Sequence, residues 1–241
     1  MQMQMFKTNG YKVEQIINTN SYILSIYHGS SNKKYIYEIY KSITKTKILS
    51  NAFFNEGIKV SSKEEEEEDT IIFTAETVKP LSVLLKEYKL TNQDAIKMIH
   101  DLGKQMAHLE TNFFAFYGFN LDDILVINNS TFIIASIKNI IKIEPDKCIY
   151  FYSPIIKPYF SNPELIKLTN LPAKIDYRSG YYSLGALILF SLTNIYIFAE
   201  IEIEIEKSID NILEPIYYTK IYWFLRRCFI KKSEERILLF I

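Results

Sequence analysis

The longest nearly uncharged apolar run in the chain constrains the fold more than any other feature. This run is SGYYSLGALILFS, Ser179–Ser191. Apolar residues on every side are typical of a helix that is buried all round. A membrane span needs about 20 apolar residues, so the run is too short to be one. We predict a helix from about Ser179 to Leu192 at the centre of a large core, with Ser179 as its N-cap.

Length and composition allow a large core and disfavour one class of partner. The chain has 241 residues, of which 48% are hydrophobic, and this length allows one large or two small domains. The 28 basic residues balance the 28 acidic residues. Because no charge excess is present, we expect no nucleic-acid partner.

The number and spacing of the cysteines and histidines indicate whether the chain holds a metal site and in which cellular compartment it lies. Cys148 and Cys228 lie far apart without metal-ligand spacing, and the three histidines are scattered. Free thiols in a cytoplasmic protein are the favoured interpretation, and a disulfide is the alternative. The first ten residues contain no apolar stretch typical of a signal peptide. We therefore expect neither a histidine metal site nor a membrane partner.

The chain up to about residue 75 has the composition of β-strands. Five segments rich in Ile, Tyr, Val and Thr predict an antiparallel meander and a second hairpin. These segments are Lys12–Ile17, Tyr22–Tyr27, Lys34–Tyr40, Ile58–Val60 and Thr70–Ala75. Lys41–Phe54 predicts one helix between them, and the acidic run Lys63–Asp69 is typical of a solvated loop tip.

Helical patterns dominate after Ala75. Leu81–Tyr88 predicts a short helix, and Thr91 with Asp94 forms the capping box of a longer one. Apolar residues then recur at helical spacing, at Ala95, Ile99, Leu102, Met106 and Leu109. Asn128-Asn129 predicts a hairpin turn inserted among the helices. A β-rich segment followed by a helical one indicates an α+β protein with two lobes.

The remaining segments are less uniform. Ile140–Lys157 shows no regular pattern, and Ala199–Lys207 (AEIEIEIEK) fits a strand, a helix or an irregular loop. Thr219–Phe229 predicts an amphipathic helix, and we expect its Trp223 to be part of the core.

This order of elements resembles the eukaryotic-type protein kinase superfamily over nearly the whole chain, and four stretches carry the resemblance. GFNLDDILVINNSTFIIASIK is similar to the kinase catalytic loop through to the metal-binding motif, and SNPEL resembles the A-P-E motif. SGYYSLGALILF resembles the central helix of the large kinase lobe, and RRCFIKKSEER resembles the penultimate helix with its following arginine. The style of the sequence also resembles kinase-like proteins of large double-stranded DNA viruses.

The resemblance implies a single two-lobed domain over residues 1–241. Its small N-lobe, about residues 1–76, holds an antiparallel sheet with one helix. A hinge at residues 76–79 leads to a larger, mainly helical C-lobe of about residues 80–241. The resemblance also implies a structural ion pair between Glu164 and Arg236, which match the pair that ties the kinase activation segment to the end of the large lobe.

The residues that phosphoryl transfer requires are replaced. A kinase needs a glycine loop, a strand lysine, a catalytic Asp and two metal-binding positions. On the best register these positions hold Asn18, Asn20 and Ile23 for the glycines, Glu38 for the lysine, Gly118 for the catalytic Asp, Asp123 for the metal-binding Asn and Ser136 for the D-F-G Asp. Ile36 and Glu76 complete a residual cleft, and Gly180 replaces the Asp that opens the central kinase helix.

Three hypotheses follow. The first is a pseudokinase, an inactive interaction or regulatory module with a protein partner and no cofactor, located in the cytoplasm, or in the host cytoplasm if the chain is viral. The second is an atypical kinase or nucleotidyl transferase that uses ATP and magnesium through relocated groups, namely Asp122, Asp123 and Lys138, with Asp123 as the metal candidate. The third is an α+β structural protein without the kinase fold.

Overall fold

A computed structural model describes residues 12–18, 22–28, 33–39, 60–61, 70–197 and 209–239. The protein is α+β and divides into two compact units. The first unit comprises Met1–Leu81 and Asp122–Lys138, and the second comprises Ser82–Leu121 and Asn139–Ile241.

The first unit contains the five-stranded antiparallel sheet that the sequence predicts before residue 76. Its strands are β1 (Lys12–Asn18), β2 (Tyr22–His28), β3 (Lys33–Ile39), β4 (Val60–Ser61) and β5 (Thr70–Thr74). Their order across the sheet is β1-β2-β3-β5-β4. Alternate β2 side chains, those of Tyr22, Leu24 and Ile26, are buried, so one face of this strand packs against a core.

A second sheet of the first unit has three strands in the order β6-β8-β9. They are β6 (Val78–Pro80), β8 (Ile124–Ile127) and β9 (Thr131–Ile134). The predicted Asn128-Asn129 turn joins β8 to β9, and both residues have positive φ, 52° and 54°. Asparagine tolerates this left-handed conformation better than most residues, which is why the sequence pattern identified the turn.

The helices among the described residues lie almost entirely in the second unit. They are α1 (Leu81–Glu87), α2 (Asn92–Thr111), α3 (Pro163–Ile166), α4 (Ser179–Thr193) and α5 (Lys220–Cys228). Residues 209–213 are also helical. The capping box of α2 is present, since Thr91 Oγ1 accepts from the Asp94 N–H and Asp94 Oδ2 accepts from the Thr91 N–H. None of the described helices combines the length and apolarity needed to cross a membrane.

Helix α4 is buried along nearly all of its length, as its apolarity predicts. It ends at Asn194, which is left-handed at φ 61°. The prediction that Ser179 caps the helix is wrong. Arg178 is the N-cap and makes no side-chain capping bond, while Ser179 is the first helical residue and is itself buried. Serine is a favoured N-cap residue, so a serine one position inside the helix is easily taken for the cap from sequence alone.

Two other expectations need correction. Trp223 is 49% exposed rather than part of the core. The buried face of α5 consists of Ile221, Phe224, Leu225 and Cys228, and Trp223 lies off that face. The segment expected to be irregular contains two strands, β10 (Ile140–Lys142) and β11 (Cys148–Phe151). Strand β10 pairs with β7 (Phe114–Phe116), and β11 pairs with β12 (Ala173–Asp176). No local sequence pattern predicted these pairings.

Several predictions lie outside the described residues. They are the helix Lys41–Phe54, the acidic run Lys63–Asp69, the segment Ala199–Lys207, and the loop position Asn20. Both cysteines are free thiols, and Cys228 is fully buried.

Candidate functional site

Three of the positions that the kinase resemblance assigns to nucleotide binding lie in one row across the five-stranded sheet. Asn18 of β1 pairs with Ile23 of β2, and Ile23 pairs with Glu38 of β3. Ile36, two residues before Glu38 on β3, pairs with Ser25. The register therefore places the backbone of Glu38 directly beside that of Ile23, the two residues that the kinase resemblance sets at the strand lysine and at a loop glycine.

Tyr22 begins β2 and is fully buried. Burial raises the pKa of its phenol well above the usual range, and the carboxylates of Asp122 and Asp123 raise it further. These two acidic residues therefore act electrostatically on the start of β2, within the first unit. Such surroundings keep the phenol neutral at any physiological pH.

The two positions that the kinase resemblance assigns to metal binding, Asp123 and Ser136, lie at the same end of the β8–β9 hairpin. Asp123 is buried in the 3-10 turn Leu121–Asp123, and its backbone oxygen accepts from the Ala135 N–H at 2.7 Å. Ser136, which follows Ala135, is also buried. Its Oγ accepts from the Lys138 N–H at 3.2 Å. Of these two positions, only Asp123 carries a carboxylate. Within the described ranges, no group of three or more His, Cys, Asp and Glu residues is arranged to hold a metal ion.

The predicted hinge is bonded to the hairpin turn. Asn128 Oδ1 accepts from the N–H groups of both Glu76 and Thr77, at 2.8 and 3.2 Å. In return, the Asn128 N–H donates to the Thr77 carbonyl at 2.8 Å. Sequence reasoning identified Asn128 as a turn residue but not as a ligand of the hinge. These two hinge donors are consequently engaged within the protein rather than directed at a bound base.

Gly118, which the kinase resemblance sets at the position of the catalytic Asp, is closed off by its own chain. A Cβ atom on Gly118 would lie 2.8 Å from Pro158 Cγ and 3.1 Å from Pro158 Cβ. Phe119 and Phe160 form a two-way backbone bridge beside it, with N–H to oxygen distances of 3.3 and 2.8 Å. A proline ring cannot rotate aside, so no side chain fits at Gly118 without displacement of residues 158–160.

Two buried amides hold the loop around Gly118. Asn139 Nδ2 donates to the Gly118 carbonyl at 2.9 Å. Asn162 Nδ2 donates to the Tyr117 carbonyl at 2.9 Å, and Asn162 Oδ1 caps α3 by accepting from the Leu165 N–H at 2.8 Å. Sequence reasoning missed the long-range bonds that these two residues make. The Asn-Pro-Glu pattern signals the cap, whereas nothing local signals the long-range bond made by Asn139.

Glu164 and Arg236 form a bidentate ion pair, 72 residues apart in sequence. Arg236 Nη2 lies 2.6 Å from Glu164 Oε1, and Nη1 lies 3.0 Å from Oε2. Arg236 is buried, donates to the backbone oxygens of Ile230 and Lys231, and lies 5.3 Å from the ring centre of Tyr182. Bonds of this kind tie α3 to the segment after α5.

Comparisons with protein-family models and with curated proteins give no match to this chain.

Proposed function

We propose that this chain is a kinase-like interaction or regulatory module that does not transfer phosphate. Three features of the two units agree with what the kinase resemblance expects. The first unit holds an antiparallel sheet before residue 76, and the second holds the buried helix α4. The second unit also holds the ion pair between Glu164 and Arg236. The two-lobed kinase fold and membership of the kinase superfamily are part of this proposal.

The closure of Gly118 is the observation that carries the proposal. Phosphoryl transfer to a hydroxyl needs a carboxylate that accepts the hydroxyl proton. Gly118 supplies no such group, and Pro158 fills the space into which a side chain would extend. Asn139 and the Phe119–Phe160 bridge fix the backbone there, so a small shift of the loop does not open the position.

The first unit supports the same conclusion independently. Glu38 stands where a kinase lysine would bind phosphates, and Ser136 stands where a carboxylate would bind metal. The N–H groups of Glu76 and Thr77 are bonded to Asn128. A nucleotide bound as in a kinase would therefore lose one main contact to its phosphates, one to its metal ion and one to its base. The module acts through a protein partner in the cytoplasm, or in the host cytoplasm if the chain is viral.

An assay of phosphate transfer tests the proposal. We expect no incorporation of labelled phosphate from γ-labelled ATP into the protein itself or into a generic substrate, with magnesium or manganese. Incorporation that depends on Asp122 or Asp123 would instead favour the atypical kinase or nucleotidyl transferase that uses relocated acidic groups.

The variant Gly118→Asp tests whether transfer is absent only because the carboxylate is missing, or also because Pro158 closes the position. It restores the carboxylate, yet we expect no transfer and a loss of about 1–3 kcal/mol of stability because the new side chain meets Pro158. Gly103→Asp on α2 is the matched control, since a Cβ at Gly103 meets no atom within 4 Å. Phosphate transfer by Gly118→Asp would contradict the proposal that the site is closed.

A further inference from the structure

The segment that follows β11 is a surface loop. Residues 152–159 contain neither helix nor strand, and we call them the exposed loop. Ser153 and Pro154 are solvent-exposed, and their neighbours Tyr152 and Ile156 are 76% and 95% exposed. An enzyme that modifies side chains can therefore reach this part of the chain without unfolding the protein.

The backbone at the start of the exposed loop is not tied to the rest of the fold. The pairing of β11 with β12 ends at Phe151. Among the described residues, none makes a backbone hydrogen bond with residues 152–157, and the next bond is that from the Tyr159 N–H to Asn120 Oδ1 at 2.8 Å. A segment without backbone bonds changes its conformation at little cost in free energy. Residues 152–157 can therefore fit into the groove of another protein while the core stays intact.

Ser153 lies in a sequence context that a modifying enzyme can recognise. It is followed by Pro154, and no other serine or threonine of the chain precedes a proline. A proline restricts the residue before it to extended backbone conformations. The proline itself has no N–H group. A groove that offers no hydrogen-bond acceptor after the reactive serine therefore accepts proline and disfavours residues that would bring an unpaired N–H.

Ser130 shows that exposure alone does not produce this combination. It is also exposed, but it lies in the turn between β8 and β9, where its N–H donates to the Ile127 carbonyl at 3.1 Å. The next residue is Thr131, the first residue of β9. An enzyme could straighten the chain around Ser130 only by breaking the hairpin, which Ser153 does not require.

We propose that Ser153 is a phosphorylation site for a serine/threonine protein kinase that selects proline after its target residue. Ser153 Oγ attacks the γ-phosphorus of ATP held by that enzyme, and a bond from this oxygen to phosphorus forms. The bond from the γ-phosphorus to the oxygen of ADP breaks, and the serine proton passes to a carboxylate of the enzyme. Phosphoserine and ADP are the products.

Phosphorylation would reverse the charge of the exposed loop. Lys157 is the only charged residue among residues 152–159, and a phosphoserine adds a charge of about −1.5 to −2 at pH 7. The exposed side chains of Tyr152 and Ile156 would then flank an anionic group, so the surface that the loop presents to other proteins changes. The inference is independent of the proposed function, because the phosphoryl group comes from a second enzyme.

Phosphorylation of the intact protein by an added enzyme tests the inference. The protein is incubated with ATP, magnesium and a purified mitogen-activated protein kinase, an enzyme of the class that modifies serine before proline, and the modified residue is located by mass spectrometry. We expect phosphate on Ser153. Incorporation should fall at least about tenfold in Ser153→Ala and also in Pro154→Ala, which keeps the hydroxyl but loses the selected proline.

Ser130→Ala is the matched control, and we expect it to be phosphorylated as well as wild type. A kinase that requires basic residues before its serine should leave Ser153 unmodified, since residues 148–152 contain no Lys or Arg. No phosphate on Ser153, equal incorporation in Pro154→Ala and wild type, or equal modification by the second kinase would overturn the inference. A sample without added enzyme reports only on transfer by the chain itself, so the two proposals fail separately.

Discussion

Replacement of Gly180 by alanine is expected to destabilise the protein by at least about 3 kcal/mol. A Cβ atom at Gly180 would overlap the carbonyl oxygen of Phe116 and lie 3.2 Å from its carbonyl carbon. Both partners are backbone, so no side-chain rotation can relieve the overlap. Helix α4 is buried on all sides, and it cannot move away without disturbing the core of the second unit.

Gly103 provides the control for this substitution. It lies inside α2, and a Cβ there meets no atom within 4 Å. Gly103→Ala should therefore stabilise the protein by up to about 1 kcal/mol, the difference in helix propensity. Equilibrium unfolding in urea, followed by far-UV circular dichroism, measures both variants. A Gly180→Ala variant within 1 kcal/mol of wild type would show that α4 and the Phe116 backbone are not in close contact.

Arg236→Ala is expected to cost about 3–5 kcal/mol, the range for breaking one partner of a buried ion pair. The guanidinium makes two bonds to Glu164 and also donates to the backbone oxygens of Ile230 and Lys231. Its loss leaves these acceptors without their donor and opens a cavity beside the Tyr182 ring. Arg236→Lys should recover only part of the loss, because an ammonium group cannot reproduce the bidentate geometry.

A double-mutant cycle with Glu164→Ala tests whether the pair acts as a unit. We expect a coupling energy within the range of about 0.5–3 kcal/mol, with the double variant less destabilised than the sum of the single variants. Lys232 and Glu235 form a solvent-exposed ion pair nearby, and a cycle on them should give a coupling of at most about 1 kcal/mol. Additive effects of Glu164→Ala and Arg236→Ala would mean that the two side chains do not meet in solution.

Local sequence patterns predicted the secondary-structure elements that are determined by residues close together in the chain. The period of apolar residues identified α2, and all-round apolarity identified α4, because a helix repeats its faces within a few residues. The Asn128-Asn129 pair identified the hairpin because its backbone conformation is set by those two residues. The closeness of Glu164 and Arg236 has no local signal, and it was expected only from the kinase resemblance.

Features that depend on distant parts of the chain were not predicted. Strands β11 and β12 are four residues each and are defined by pairing with one another, so neither has a pattern of its own. The bonds from Asn128 to the hinge and from Asn139 to Gly118 join residues 52 and 21 positions apart. The contact of Pro158 with Gly118 likewise arises only when the chain is folded. The proposed function depends on these long-range contacts. The sequence could therefore indicate that catalytic groups are missing, but not that the position of Gly118 is closed.

The thermal unfolding midpoint in the presence of ATP, with and without magnesium or manganese, tests most directly whether this chain binds nucleotide. Each lost charge-assisted contact is worth about 1.5–3 kcal/mol, and micromolar binding amounts to about 8 kcal/mol. In the proposed kinase register, Glu38 stands in place of the lysine and Ser136 in place of a metal-binding carboxylate, so we expect any binding to be millimolar or weaker. We predict no shift of the midpoint at physiological ATP. A shift of several degrees with magnesium and ATP that disappears in Asp123→Ala would contradict the inactive module and favour the atypical enzyme.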